Sequence, residues 1–274
     1  MTHEDFIGLC ARRQTGSRDE QAFTQEVLEP YRVKNAVLMA AGYGSRLAPI
    51  TDKTPKGLLW IRGEVLVERQ IAQLLAAKVE EVFLVVGYRK EQFAYLASNP
   101  HIHLVENPDY DRCNNTSSLY RVLDILDNTY ICSADNYFTE NVFEPYVYRS
   151  YYAAVYGEEP TGEYYLSTDA DERIIGVQIG GQSGWYMMGH VYFSRSFSEK
   201  FRILLGRAYE QDLAVRHLLW EQFYMRHLDE LALYRKCYPD GVIHEFDTLQ
   251  DILAFDPNFI GEFCYNNTPK SQFS

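Results

Sequence analysis

VLMAAGYGSRLAPITDKTPKGLL, residues Val37–Leu59, begins as an apolar strand over Ala36–Ala40 and breaks into Gly42-Tyr43-Gly44, followed by Ser45-Arg46. A polar loop then leads to Pro55-Lys56. Two glycines let the backbone turn sharply and approach a ligand closely, because no Cβ stands in the way. Backbone N–H groups in such a turn can converge on one concavity and cradle phosphate oxygens. Arg46 adds a forked, permanently charged donor set, and Lys56 a mobile point charge. One short segment thus offers amides, guanidinium and ammonium to a polyphosphate. Its spacing matches neither the Walker lysine motif nor the Gly-x-Gly-x-x-Gly dinucleotide fingerprint.

Composition narrows the partners. The chain has 274 residues, 46% apolar and 23% charged, with a formal charge of −12. So acidic a chain lacks the Lys/Arg excess that nonspecific nucleic-acid binding needs to displace counterions. Five scattered cysteines (Cys10, Cys113, Cys132, Cys237, Cys264) contain no Cys-x-x-Cys pair and read as reduced thiols of a cytoplasmic protein. No apolar run approaches membrane-spanning length, and MTHEDFIGLCARRQ is not a signal peptide, so no membrane insertion is expected. Tyrosine is the outlier at 22 residues, and its rings suit both cores and pockets for organic cations.

Residues 1–34 are polar and helix-permitting, and they precede the first strand; they read as an appended helical extension. From Asn35 strand and helix alternate. Val67, Ile71, Leu74 and Leu75 share one helical face. Glu81–Val86 is a continuous apolar strand of the kind found in parallel sheets buried on both faces. Lys90–Ala97 reads as a short helix and His101–Glu106 as a strand. Leu119, Val122, Leu123 and Leu126 mark a helix opened by an Asn-Thr-Ser-Ser cap, and Tyr130–Ala134 is a strand ending in Asp135-Asn136. Repeated β-α units predict an α/β fold with a doubly wound, mostly parallel, Rossmann-like sheet. Beyond Asn141 come strands without intervening helices (Tyr151–Tyr156, Tyr164–Thr168, Ile174–Ile179, Trp185–Phe193), which predict a small antiparallel extension. Helices over Ser198–Tyr209 and Leu213–Met225, strands over Leu231–Tyr238 and Ile243–Phe246, and a helix over Leu249–Phe255 complete a domain spanning 35–256. Residues 257–274 form a tail.

In open α/β sheets, ligands bind at the carboxyl ends of strands near a topological switch. The glycine loop, Asp135-Asn136, and Glu245 with Asp247 all sit at such ends. Two carboxylates converging on a triphosphate suit Mg²⁺, which takes one or two carboxylates together with phosphate oxygens and water.

The string AAGYGSRLAPITDKTPK resembles the (L/M)AAGxGxRLxPxTxxxPK signature of nucleotidyltransferases that activate sugar phosphates and related phosphomonoesters. Four further stretches, VGYRKEQFAYL at Val86–Leu96, NPDYDRCNNTSSLY at Asn107–Tyr120, ADNYF at Ala134–Phe138 and HEFDTLQD at His244–Asp251, resemble the bacterial CTP:phosphocholine cytidylyltransferases. These are a branch of the nucleotide-diphospho-sugar transferase fold. The resemblance covers Lys34 to about Phe255. It implies that Ala40, Ala41, Gly42, Gly44 and Ser45 hold the CTP phosphates, with Arg46 on the departing pyrophosphate. Lys56 is then set between the α-phosphate and the incoming phosphomonoester, and Asp135 and Asp247 hold Mg²⁺. Gly87, Tyr88, Asn115, Ser118 and Asn136 are placed at the nucleotide. Gly57 departs from the alanine that relatives often carry after the lysine. Tyr164 lies where the family has a choline-facing aromatic, with Trp185, Trp220 and Glu245 as further acceptor-side candidates.

A phosphomonoester has a second pKa of about 6 and is largely dianionic at neutral pH, so its attack on the α-phosphorus needs no general base. Alignment and cancellation of charge are what the reaction requires. The expectation is a cytidylyltransferase that makes CDP-choline from CTP and phosphocholine. Competing acceptors are 2-aminoethylphosphonate, phosphoethanolamine or a sugar 1-phosphate. The competing class is a regulatory nucleotide-binding module without turnover. The sequence leaves the oligomeric state open.

Overall fold

The computed structural model describes residues 1–260, so Cys264 and most of the expected tail lie outside the described residues. Two helices come first, α1 (His3–Thr15) and α2 (Arg18–Leu28). A capping box of Thr2 with Asp5 starts α1, satisfying amides that a helix start leaves open. Phe6, Leu9 and Leu28 pack with Tyr146 of the main body, so this segment is docked rather than free.

The sheet grows from β1 (Asn35–Ala40). A short hairpin follows, β2 (Trp60–Ile61) and β3 (Glu64–Val65), turning through Gly63 at φ +84°. Next come α3 (Leu66–Ala76), β4 (Val82–Val86), β5 (Ile102–Glu106), α4 (Thr116–Tyr120), β6 (Thr129–Ser133) and β7 (Asn136–Phe138). Strands β5, β4, β1 and β6 lie side by side in that order, all parallel. Alternation within β1 sends Ala36 and Leu38 into a core beneath α3 and Val37 into a second core shared with Phe201 and Trp220. A strand buried on both faces is apolar throughout, which is how β1 and β4 read. The chain adds β4 and β5 on one side of β1 and returns to β6 on the other, so the topological switch lies between β1 and β6.

The second half comprises β8 (Tyr151–Gly157), β9 (Thr161–Thr168), β10 (Ile174–Gly181), β11 (Gly184–Phe193), α5 (Arg195–Gln211), α6 (Trp220–Met225), β12 (Tyr234–Cys237), β13 (Ile243–Glu245) and α7 (Leu249–Phe255). Strand β11 joins the halves. Its end, Val191–Phe193, runs antiparallel to β6 and also pairs with Tyr151 and Tyr152 of β8, and its start, Gly184–Met187, pairs with β8 and β9. Between these regions the register shifts, and Gly189 adopts φ +100°, which favours glycine. Strand β13 pairs with β7, bringing the Glu245–Asp247 corner beside Asp135.

Three expected helices are altered. The run after Asn115 is only one turn of α-helix followed by a 3-10 turn at Leu123–Ile125, and Lys90–Ser98 is 3-10 throughout. The expected helix Leu213–Met225 is two pieces, a 3-10 turn at Leu213–His217 and α6, separated by extended Leu218 and Leu219. Tertiary hydrogen bonds explain the break. Thr116 Oγ1 donates to the carbonyls of Val215 and Leu218, and the Asn114 amide donates to that of Arg216. Those bonds outweigh the local periodicity. Among the described residues no helix is long and apolar enough to cross a membrane.

Leu28 is fully buried between the helical extension and Tyr146. Leu28→Ala is expected to cost about 2–5 kcal/mol in urea denaturation; a loss below about 0.5 kcal/mol would mean that docking of the extension contributes nothing to the stability of the fold.

Candidate active site

A cavity of about 570 Å³ opens at the switch point, within the usual range for small-molecule sites. Ala40, Ala41, Gly42, Gly44, Arg46, Lys56 and Gly57 line it from the glycine loop. Gly44 stands at φ +63°, and its carbonyl accepts from Thr51 Oγ1 at 2.9 Å, which fixes the turn. A Cβ on Gly42 would meet nothing within 4 Å, so that position faces open space. Ser45 begins the following 3-10 turn and does not itself line the cavity.

Lys56 is the centre of the charged groups. Its Nζ donates to Asp135 Oδ2 at 2.6 Å and to Asp247 Oδ1 at 2.8 Å. Arg46, mostly exposed, reaches the same Asp247 oxygen at 2.9 Å. Burial alone would lower the Lys56 pKa, but the two carboxylates hold it above the ordinary lysine value. Burial likewise pushes Asp135 up, and the Lys56 ammonium more than reverses this, so its carboxyl titrates below the usual range. Glu245 is raised well above it by burial and by the Asp135 and Asp247 charges.

One oxygen from each of Asp135, Glu245 and Asp247 lies within 4.8 Å of the others. Asp135 Oδ1 is buried without a hydrogen-bond partner. An all-oxygen set with an unsatisfied carboxylate oxygen fits a hard divalent cation. The turn that presents Asp135 is pinned from below. Gln70 of α3, fully buried, donates from Nε2 to the carbonyls of Ser133 and Asn136 on either side of it. Gln70 carries no motif, and a polar residue at a core position of an amphipathic helix was its one signal.

The nucleotide-side candidates divide. Asn115, Ser118 and Asn136 line the cavity, with Asn107 and Tyr110 beside them. Asn107 Nδ2 donates to the hydroxyls of Ser117 and Ser118 and orders that wall. Asn115 does not cap its helix as expected; its Oδ1 accepts from the Trp220 amide at 2.6 Å. Gly87 and Tyr88 are not among the cavity-lining residues. A Cβ on Gly87 would stand 2.6 Å from Tyr110 Cγ, so glycine there admits the Tyr110 ring. The Tyr88 amide donates to the Ala41 carbonyl, and its hydroxyl to that of Thr51, bracing the glycine loop.

On the acceptor side Tyr164 and Glu245 line the cavity. Trp220 borders it but is 1% exposed, with its ring stacked on Tyr152 at 5.6 Å. Trp185 is corrected: it stands away from the cavity lining, against Tyr156 and under the Arg235 guanidinium. Two carboxyls that the motifs did not single out take its place, Glu163 and Glu221. Burial raises Glu163, and Asp247 adds to this against the pull of Arg46. Burial pushes Glu221 up to about 7, despite the hydroxyl of Tyr152 donating to its Oε1 at 3.2 Å and the Asn115 and Trp220 side chains close by.

The chain matches the MobA-like NTP transferase domain over residues 36–215. It belongs to that family. The 2-aminoethylphosphonate cytidylyltransferase of Lancefieldella rimae is 35% identical over 230 residues, covering 82% of this chain and 93% of that protein. The choline-phosphate cytidylyltransferase of Streptococcus pneumoniae is 34% identical over 216 residues, covering 79% and 94%. The solved structure of the CTP:phosphocholine cytidylyltransferase from the same organism superposes with a TM-score of 0.76 at 34% identity, over 80% of this chain and 96% of that one. The family makes this protein a nucleotidyltransferase with a Rossmann-like sheet, and a regulatory module without turnover is set aside.

Two outcomes follow from the packing and charge of the site. A Cβ on Gly57 would lie 2.9 Å from the Ala134 methyl, so here glycine is required next to Lys56. Gly57→Ala is expected to cost about 1–3 kcal/mol and to lower kcat, with Ala134→Gly restoring both; absence of rescue in the double variant would show that the clash is not the cause. Glu221 ionises with difficulty in the fold, so it costs stability as pH rises from its unfolded pKa through about 7. Glu221→Gln should therefore gain on the native protein between pH 5 and pH 8, by up to about 3 kcal/mol, in thermal melts; a pH-independent difference would contradict this.

Proposed function

We propose that the enzyme works in the cytoplasm and transfers CMP from CTP to phosphocholine, giving CDP-choline and pyrophosphate. The observation that carries this reading is the convergence of Lys56, Arg46, Asp135 and Asp247 at the mouth of the glycine loop. A likeness of 34% over nearly the whole of a choline-phosphate cytidylyltransferase supports the donor and the acceptor class. 2-Aminoethylphosphonate is the second reading, favoured by a relative of similar likeness. Both acceptors join an anionic phosphorus group to a nearby cationic nitrogen.

In the reaction an oxygen of the acceptor phosphate forms a bond to the α-phosphorus of CTP. The bond from that phosphorus to the β-phosphate oxygen breaks, and its electron pair leaves with pyrophosphate. Lys56, held protonated between two carboxylates, is placed to cancel repulsion between the α-phosphate and the acceptor dianion. Arg46, exposed at the mouth, is free to swing from Asp247 to the outer phosphates. The amides and carbonyl-braced turn of the glycine loop orient the chain of phosphates. Asp135 and Asp247, with Glu245 beside them, would hold Mg²⁺, which supplies charge neutralisation for the phosphates when bound.

Lys56→Ala and Asp135→Ala are each expected to lower kcat at least about 100-fold, measured as pyrophosphate release with CTP and phosphocholine, while circular dichroism stays native. Near-native turnover in either variant would remove that residue from the catalytic set.

A further inference from the structure

The cavity holds more carboxyl groups than its phosphate chemistry uses. Asp135, Glu163, Glu221, Glu245 and Asp247 line it, against Arg46 and Lys56 as its lysine and arginine residues. Asp135 and Asp247 already engage both cations, and Glu245 completes the carboxylate group at the phosphates. Glu163 and Glu221 remain on a wall built by β9 and α6. Acidic groups facing polyanionic substrates are repulsive unless part of the ligand is positive. A positive head on the acceptor is the part of the ligands that could meet Glu163 and Glu221 on that wall.

The condition of Glu221 specifies that head further. Its Oε1 accepts from the Tyr152 hydroxyl, which fixes the carboxylate, while Oε2 is buried and makes no hydrogen bond of good geometry, although the Asn115 and Trp220 side chains and its own amide stand near the carboxyl. An unpaired buried acceptor is costly, and a ligand that donates to it recovers that cost. A quaternary ammonium has no N–H to give and is held chiefly by aromatic faces. On this wall Tyr164 is the partly exposed ring, while the Tyr152 and Trp220 rings lie against each other, 4° from parallel, and both residues are buried, which falls short of an aromatic cage. A primary ammonium carries three N–H donors, of the kind a lysine presents.

We propose that Glu221 reads the acceptor head, and that its buried free oxygen gives the enzyme an activity toward phosphates or phosphonates bearing a primary ammonium. This rests on the cytidylyl-transfer reading but not on phosphocholine being the preferred acceptor. Glu221 is a binding residue for the head and takes no part in the phosphorus chemistry. Burial in the ligand-free protein already disfavours its charge, and an incoming ammonium restores the ionised form.

The test compares kcat/KM for 2-aminoethylphosphonate, phosphoethanolamine and phosphocholine, each with CTP and Mg²⁺, in the native enzyme, Glu221→Gln and Glu163→Gln. The native enzyme should use a primary-ammonium acceptor at least as efficiently as phosphocholine. Glu221→Gln should lower the ratio of primary to quaternary efficiency by about tenfold or more, the loss of one charge-assisted hydrogen bond. Glu163→Gln should change that ratio less. Rejection of both primary-ammonium acceptors by an enzyme that turns over phosphocholine would overturn the proposal. So would an unchanged ratio in Glu221→Gln, or a larger change in Glu163→Gln. Pyrophosphate release with none of the three would refute the transfer reading itself, and this proposal with it.

Discussion

One ammonium group, Lys56 Nζ, joins carboxylates that stand 79 and 191 positions further along the chain. Those three residues belong to the glycine loop, the end of β6 and the end of β13, so the contact closes the site from three directions. Such a buried pairing is a weak source of stability, because removing charges from water consumes most of the Coulombic gain. Its worth lies in position. Asp135, Glu245 and Asp247 bring three carboxyl groups together, the Lys56 ammonium offsets their crowding, and the same arrangement makes the place receptive to a metal ion.

The supports of that contact are uncharged and mostly invisible as chemistry. Gln70 clamps the two carbonyls flanking Asp135, the Tyr88 amide ties β4 to the glycine loop, and Thr51 closes the turn at Gly44. Close packing does the rest: Gly57 leaves room for the Ala134 methyl and Gly87 for the Tyr110 ring. Each glycine marks a place where two elements approach too closely for a side chain. The glycine-loop end of the cavity is therefore closely packed before any ligand arrives.

What the sequence made legible follows from how local each signal is. The parallel order and the loop were readable because apolar runs buried on both faces and a glycine turn at a strand end are properties of short segments. Asp135 and Asp247 were readable because strand ends collect at one edge of such a sheet, and Lys56 because the string from the glycine loop to Pro55-Lys56 is continuous in sequence. Glu221 was not, since α6 reaches the cavity only after Thr116 and Asn114 have drawn the preceding carbonyls out of helical pairing. Trp185 misled for the opposite reason. It looked like cage material, but successive side chains on a strand face opposite ways, and on β11 it meets Arg235 and Tyr156. An aromatic residue on a strand reports a surface to be covered without saying by what.

The sheet also explains how one reaction can serve different acceptors. Strand β11 pairs with β6 at one end and with β9 at the other, β8 runs beside both stretches, and a register shift around Gly189 separates them. The parallel half thus carries the glycine loop and Asp135 on a frame that continues, past that shift, into the wall carrying Glu163 and Tyr164. Substitutions on that wall, or on α6, can alter the head group that is read without shifting Lys56 relative to Asp135. Relatives of nearly equal likeness whose names give choline phosphate in one case and 2-aminoethylphosphonate in the other fit such a division. In this chain the wall carries Glu163, Glu221 and the partly exposed Tyr164, with the Tyr152 and Trp220 rings buried against each other. On the proposed role of Glu221, a head that can donate hydrogen bonds gains there what a methylated one cannot.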